Sequence, residues 1–241
     1  MASDSGLRSA LGFLTVVGGA TSLSARSVAW FGPVGAGVGA TVGLAWWGFG
    51  RVMPPLVSAV LALMVDGALT GLLHTDGLAD AADGLLPPLP RERRLAVMRA
   101  PDVGAFGVAV VVAVFALRVA ALTSLTPRVW LVAALWAASR SLMAGALGFQ
   151  RYARVAEGGL ASAFQNRRAC TVALLVGVPL SVTLAAMAGV AGLVALVSAV
   201  GAGVGVLAFA QRRVGGYTGD VLGAAGIIAE TVGLVVATVR V

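Results

Sequence analysis

Apolar residues run along this chain in stretches far longer than the alternation of a half-buried strand or the stripe of a soluble helix. The first runs from about Val28 to Gly50 and the second from about Val52 to Leu73. A polar segment, His74 to Asp102, follows and holds Pro87-Pro88, Pro90, Arg91, Arg93, Arg94 and Arg99. Further apolar stretches cover about Gly104–Leu122, Val129–Phe149, Cys170–Ala188, Gly189–Ala210 and Val221–Val239, broken by polar residues near 150–169 and 211–220. A helix needs about 20 apolar residues to cross a bilayer. The pattern therefore predicts an all-α, polytopic membrane bundle with about seven transmembrane helices, six at the low end. It reads as a single transmembrane domain over residues 1–241, with no internal repeat and no linker. Loops at about 74–103, 150–169 and 211–220 fall on one side.

Composition agrees. Hydrophobic residues make up 59% of the 241 positions and charged residues only 11%, against about 25% charged in a soluble domain. That excludes a soluble globular domain, a disordered chain and a basic nucleic-acid-binding domain. The net charge of +7 is carried by arginine alone, since the chain has no lysine. If the 76–103 segment is cytoplasmic, Arg8, Arg26, Arg91, Arg93, Arg94, Arg99, Arg151, Arg154, Arg167, Arg168, Arg212 and Arg213 share that side. Only Arg51, Arg128 and Arg240 face outward. Basic loops stay on the cytoplasmic side, so the bias orients a multi-pass protein of a bacterial or archaeal membrane and needs no nucleic-acid partner. Arg118, near the outer end of its span, is expected to snorkel. Arg140 sits mid-span and is a functional candidate for that reason. A single cysteine, Cys170, excludes an intrachain disulfide and a cysteine-built zinc site. Residues 1–27, broken by Gly18-Gly19, do not read as a cleavable signal peptide. Glycine-rich runs such as Gly35-Ala36-Gly37-Val38-Gly39 suit close helix packing in lipid. A homo-oligomer is left open.

The scarce acid carries more information. Half of the ten acidic residues, Asp76, Asp80, Asp83, Glu92 and Asp102, lie between positions 76 and 102. On a helix, 100° per residue sets Asp76, Asp80 and Asp83 within about 60° of one face. Carboxylates that close repel by about 3 kcal/mol per pair at ~6 Å and an effective dielectric near 20. A hard divalent cation would neutralise them, and Mg²⁺ suits carboxylates shared with substrate phosphates; a solvated helix end is the plainer alternative. Gly77 and the alanines between the acids leave room for a bulky ligand. Asp102, just before the next span, reads equally as a further ligand or as a helix cap. Asp66 lies deep in the second span and could pair with Arg118 or Arg140, or cap a helix break. Carboxylates for metal and arginines for phosphate oxygens on one face suggest phosphoryl or nucleotidyl transfer. The turn Gly215-Gly216-Tyr217-Thr218-Gly219-Asp220 opens the last span and could offer backbone N–H groups to an anion, or Asp220 could be its cap. Arg154-Val155-Ala156-Glu157-Gly158-Gly159 reads as a substrate contact or an ordinary turn. An ion path through Asp66, Arg140 and Glu230 is the competing class, a transporter; most of the acid lies at one face rather than mid-span.

At these residues the chain resembles the adenosylcobinamide-GDP ribazoletransferase (cobalamin synthase) family. The resemblance rests on His74-x-Asp76-Gly77-Leu78-Ala79-Asp80-x-x-Asp83-Gly84. Met98-Arg99 with Gly104-Ala105-Phe106-Gly107 supports it, as does Gly215-Gly216-Tyr217-Thr218-Gly219-Asp220-x-x-Gly223-Ala224 with Glu230. Phe31-Gly32-Pro33-Val34-Gly35, Arg140 and Glu157-Gly158-Gly159 are weaker echoes. It implies a membrane enzyme that needs Mg²⁺ and joins adenosylcobinamide-GDP to α-ribazole or its 5′-phosphate at the cytoplasmic face, releasing GMP. By that resemblance Asp76, Asp80 and Asp83 hold metal, and Asp83, then Asp102, supplies the general base. His74, Gly77, Arg99, Arg140, Glu157, Thr218, Gly219 and Asp220 touch substrate, with Arg99 or Arg140 on the equatorial phosphate oxygens. Ala100 stands where the family usually has an Asp, so either Asp102 takes over through a shifted turn or the site has one carboxylate fewer. The motif also looks like a relative of the CDP-alcohol phosphotransferase signature, but Asp80 replaces that signature's Arg and Pro87-Pro88 occupies its later segment. A lipid-acceptor phosphotransferase is thereby disfavoured.

Overall fold

The computed structural model of the chain describes residues 6–19, 24–154 and 166–239. They form eleven helices and no strand: α1 (Gly6–Leu14), α2 (Ala25–Val28), α3 (Phe31–Phe49), α4 (Pro55–Thr70), α5 (Leu73–Leu85), α6 (Arg91–Val97), α7 (Ala105–Ser124), α8 (Val129–Phe149), α9 (Arg167–Met187), α10 (Val190–Val214) and α11 (Gly219–Val236). Five of them, α7 to α11, are individually long and apolar enough to cross a membrane. A sixth span results if α4 and α5, bent by 91° at their junction, are counted as one. The sequence pattern predicts about seven, and the difference lies in the first two stretches. The chain is a multi-pass membrane protein.

Helix α8 is the axis of the bundle. It is buried along almost its whole length because its surface alternates small residues (Ala133, Ala134, Ala137, Ala138) with large ones (Leu131, Leu135, Trp136) that neighbours can interlock with. Helix α3 lies along it through Gly35 and Gly39. A methyl group at either position would stand within 2.7 Å of a backbone carbonyl of α8, Trp136 O or Val132 O. Packing in lipid rewards such backbone approach, since lipid tails are as apolar as leucine and close contact is what helix association gains. Helices α9, α10 and α11 complete the ring around α8.

The break between α4 and α5 is local chemistry. Gly71 (φ +61°) and Leu72 (φ +57°) both take the left-handed conformation, and the N–H groups of both donate to Gly67 O, closing α4. Leu72 is the one non-glycine residue with positive φ among the described residues, a conformation that is rare outside glycine. Helix α5 then packs against the first turns of α7 and α11 at the end of the bundle, beyond the apolar run of α4.

Between the spans the bundle holds a closed set of charges. Arg118 of α7 pairs with Glu230 of α11 and, at 3.4 Å, with Asp66 of α4. Arg140 of α8 pairs with the other Glu230 oxygen at 2.5 Å. Trp136 Nε1 donates to Asp66 (2.8 Å), Ser139 Oγ to Glu230 (2.7 Å) and Arg118 Nε to Thr231 Oγ1 (3.1 Å). Two acids and two bases sum to zero, which is the condition for placing charge in a medium without water. The expectation that Arg118 snorkels is overturned. Its side chain is 1% exposed, because Asp66 and Glu230 hold it inside.

Candidate active site

Helix α5 presents its three aspartates in graded exposure: Asp76 is exposed, Asp80 half-buried and Asp83 buried. They share a helix but not a single function in the fold. Asp83 turns to the start of α7, where its two oxygens accept the N–H groups of Gly104 (2.7 Å) and Gly107 (2.9 Å). A helix N-terminus offers unpaired N–H groups and partial positive charge, and Asp83 caps α7 from the neighbouring helix. This explains both glycines of Gly104-Ala105-Phe106-Gly107, since a Cβ at either would fall 2.5 Å from an Asp83 oxygen. The cap residue of α7 itself is Gly104; Asp102 lies exposed in the preceding bend, outside the cap.

Asp76 and Asp80 meet a different partner. Helices α5 and α11 pass with their backbones nearly in contact. A Cβ on Gly77 would stand 3.0 Å from the Asp220 backbone, and one on Gly223 would stand 3.2 Å from His74 Cα. Gly77, expected at substrate, is buried in this crossing, and its lack of a side chain is what lets Asp220 of α11 come beside Asp76 and Asp80. The crowding is felt: burial, followed by the charges of Asp220, Asp76 and Asp83, pushes the Asp80 carboxyl up to about 6, against a smaller lowering by Arg154. His74, at the buried start of α5, leaves its Nδ1 without a partner among the described residues.

Asp220 is held by two neighbours. Arg154 Nη2 donates to Asp220 Oδ2 at 3.1 Å, and Thr218 Oγ1 to the same oxygen at 3.1 Å. Thr218, rather than Asp220, is the cap of α11, accepting the N–H of Val221 at 3.2 Å; Gly219 is exposed at the first turn. The segment carrying Arg154 is pinned by a two-residue parallel pairing. Ala153 N–H donates to Tyr217 O and Tyr217 N–H to Arg151 O, both at 2.9 Å.

Two arginines that read in the sequence only as topological charge tie these pieces together. Arg94 is buried, and its Nη1 donates to Gly84 O (2.9 Å) and Leu85 O (2.7 Å), the carbonyls at the end of α5. Arg91 reaches outward, Nε to Val214 O (2.8 Å) and Nη2 to Ala153 O (2.9 Å). The three-residue spacing of Arg91 and Arg94 after Pro90, the cap of α6, is the only trace of this in the sequence. Met98 fills the space between Gly84 and Thr218.

The other predicted site residues fall in three places. Arg99 is exposed just past α6. Arg140 is in the buried charge set, its Nη1 on Glu230 and Ser139. Glu157 lies outside the described residues. Among the described residues no three of Asp, Glu, His and Cys converge closely enough to hold an ion by themselves. An all-protein cage is thus not what the three-aspartate helix makes. Asp76, Asp80 and Asp220 offer carboxylate oxygens alone at this crossing, and one or two such carboxylates suit Mg²⁺, which keeps several waters and completes its shell with substrate oxygens.

This end of the bundle gathers acids, a capped helix start and a fixed guanidinium. A family model described as cobalamin-5-phosphate synthase matches residues 6–238. The chain belongs to that family. Cobalamin-5-phosphate synthases are membrane transferases of cobalamin synthesis, and this chain is an enzyme of that kind. Three similar proteins, each named adenosylcobinamide-GDP ribazoletransferase, illustrate the range. One from Bradyrhizobium diazoefficiens is 40% identical over 77% of this chain and 72% of its own. One from Roseiflexus sp. is 32% identical over 88% and 79%, and one from Chlorobaculum parvum 37% over 94% and 92%. No solved structure matches the chain.

Proposed function

We propose that the chain transfers the phosphoryl-linked corrinoid of adenosylcobinamide-GDP to α-ribazole or its 5′-phosphate, at the end of the bundle where α5 meets α11. The observation that carries this reading is the backbone crossing at Gly77 and Gly223, which sets Asp220 beside Asp76 and Asp80 in a member of this synthase family. The activated donor brings a pyrophosphate, and these carboxylates repel it unless a cation intervenes. One or two of the carboxylates of Asp76, Asp80 and Asp220 would hold Mg²⁺ together with substrate oxygens and waters; bound there, the ion supplies charge neutralisation at the pyrophosphate oxygens.

The chain's own residues do the rest. A ribazole hydroxyl oxygen forms a bond to the phosphorus that carries the corrinoid aminopropanol. The bond from that phosphorus to the bridging oxygen breaks, GMP leaves with the electron pair, and the hydroxyl proton passes to a base or to water. Asp83, the choice for that base from the sequence, has both oxygens engaged by backbone N–H groups at the start of α7. We assign it to fastening α5 onto α7. Arg91 and Arg94 hold the three loop segments in register. The arginine bias of the loops supports a cytoplasmic position for this end of the bundle.

The test is direct. Purified protein incubated with adenosylcobinamide-GDP, α-ribazole and Mg²⁺ should release GMP and the completed corrinoid in equal amounts. Absence of both with α-ribazole and with its 5′-phosphate would overturn the reading.

A further inference from the structure

Among the carboxylates at the loop end of the bundle stands one arginine, Arg154, in an unusual setting. Its side chain is 14% exposed. One donor, Nη2–H, goes to Asp220 Oδ2. Its Nε–H is shut off from solvent and meets no acceptor among the described residues. A guanidinium carries five donors in a rigid planar fork suited to bidentate binding of phosphate. The Asp220 bond fixes the plane of that fork without saturating it. The backbone behind it is fixed as well, since Arg91 Nη2 holds Ala153 O and Ala153 N–H is bonded to Tyr217 O.

Three other arginines are committed elsewhere. Arg140, which the sequence offered together with Arg99 for phosphate oxygens, is committed to Glu230 and Ser139 inside the bundle, and Arg99 is exposed just past α6. Arg94 is committed to the carbonyls of α5 and Arg91 to those of Val214 and Ala153. Through Asp220, whose backbone lies against Gly77, Arg154 stands beside the acidic face of α5. It stands where the carboxylates gather and where an anionic ligand must approach.

We infer that Arg154 is the binding residue for phosphate oxygens of the nucleotide-activated substrate, with Asp220 orienting its fork and Arg91 positioning its backbone. The inference rests on the transfer reading above. It differs from a purely structural Arg154–Asp220 pair in one respect: the damage from its loss falls on one substrate.

Steady-state kinetics on the full chain in detergent, following GMP release, test this with Arg154→Lys and Arg154→Ala. The lysine keeps the charge but loses the fork. Its KM for adenosylcobinamide-GDP should rise by about ten- to a hundredfold, the size expected for a charge-assisted hydrogen bond, with the KM for α-ribazole within twofold of wild type. Added guanidinium ion should restore part of the activity of Arg154→Ala. An unchanged KM for the activated corrinoid, or equal rises for both substrates without guanidinium rescue, overturns the inference. If Arg154→Ala does not accumulate, Arg154→Lys alone carries the comparison. If the wild type releases no GMP, the transfer reading has failed, and equilibrium dialysis with GDP decides the inference by itself. Weaker GDP binding by Arg154→Lys than by wild type then supports it. Equal binding, or none by either, overturns it.

Discussion

Replacing Arg118 by methionine should be among the most damaging single changes in the spans. Arg118 is 1% exposed and joins Glu230 and Asp66. Without it, two carboxylates face one guanidinium, Arg140, and a negative charge is left uncompensated in the bundle. Breaking a buried pair in this way is destabilising by about 3–5 kcal/mol. For a chain of this length each kcal/mol moves the melting temperature by roughly 2–4 °C, so a fall on the order of 10 °C is expected. Charge balance, rather than the arginine as such, is the cause in this argument, and a second change should therefore repair the first. In Arg118→Met with Asp66→Asn, Glu230 keeps Arg140, and the asparagine oxygen still accepts from Trp136 Nε1, now 2.8 Å from Asp66. The double variant should melt above Arg118→Met. Thermal unfolding in detergent, followed by near-ultraviolet circular dichroism, measures this. A melting temperature for Arg118→Met within about 2 °C of wild type, or a double variant that melts lower still, would refute the reasoning.

Two further outcomes concern the loop end. Asp76→Asn and Asp80→Asn should each abolish GMP release while leaving the melting temperature near that of the wild type, because neither carboxylate accepts a bond among the described residues that holds the fold; a strong chelator should likewise abolish release by the wild type, reversed by Mg²⁺. Full turnover in either variant or in chelator would remove the metal from the mechanism. Gly107→Val should destabilise by about 2–4 kcal/mol through overpacking and loss of the Asp83 cap, since even a Cβ there lies 2.5 Å from Asp83 Oδ2 and 3.0 Å from Ala79 O; an unchanged melting temperature would show that Asp83 is not held as described.

The apolar runs, the arginine-only charge and the clustered aspartates are properties of the chain itself. They establish a helical membrane protein with its acid gathered near one end, because the period and length of apolar segments depend on the bilayer and not on neighbours. The family motif was legible for the same reason, as a linear string. The separate duties inside that string were not. Asp76, Asp80 and Asp83 look equivalent at helical spacing. Only the approach of α7 turns Asp83 into a cap, and only the approach of α11 brings Asp220 to the other two. Arg118 and Arg140 likewise read as a snorkelling residue and a site residue, because their partners Asp66 and Glu230 lie 52 and 90 positions away in the chain.

Sequence alone therefore determined the class of structure, the family and the stretch of chain that carries the chemistry. Tertiary structure decided which charges neutralise one another inside the bundle and which remain at its end. A charge is counted in the sequence, but its state depends on what lies within a few ångströms, and in lipid that neighbour is supplied by another helix rather than by water.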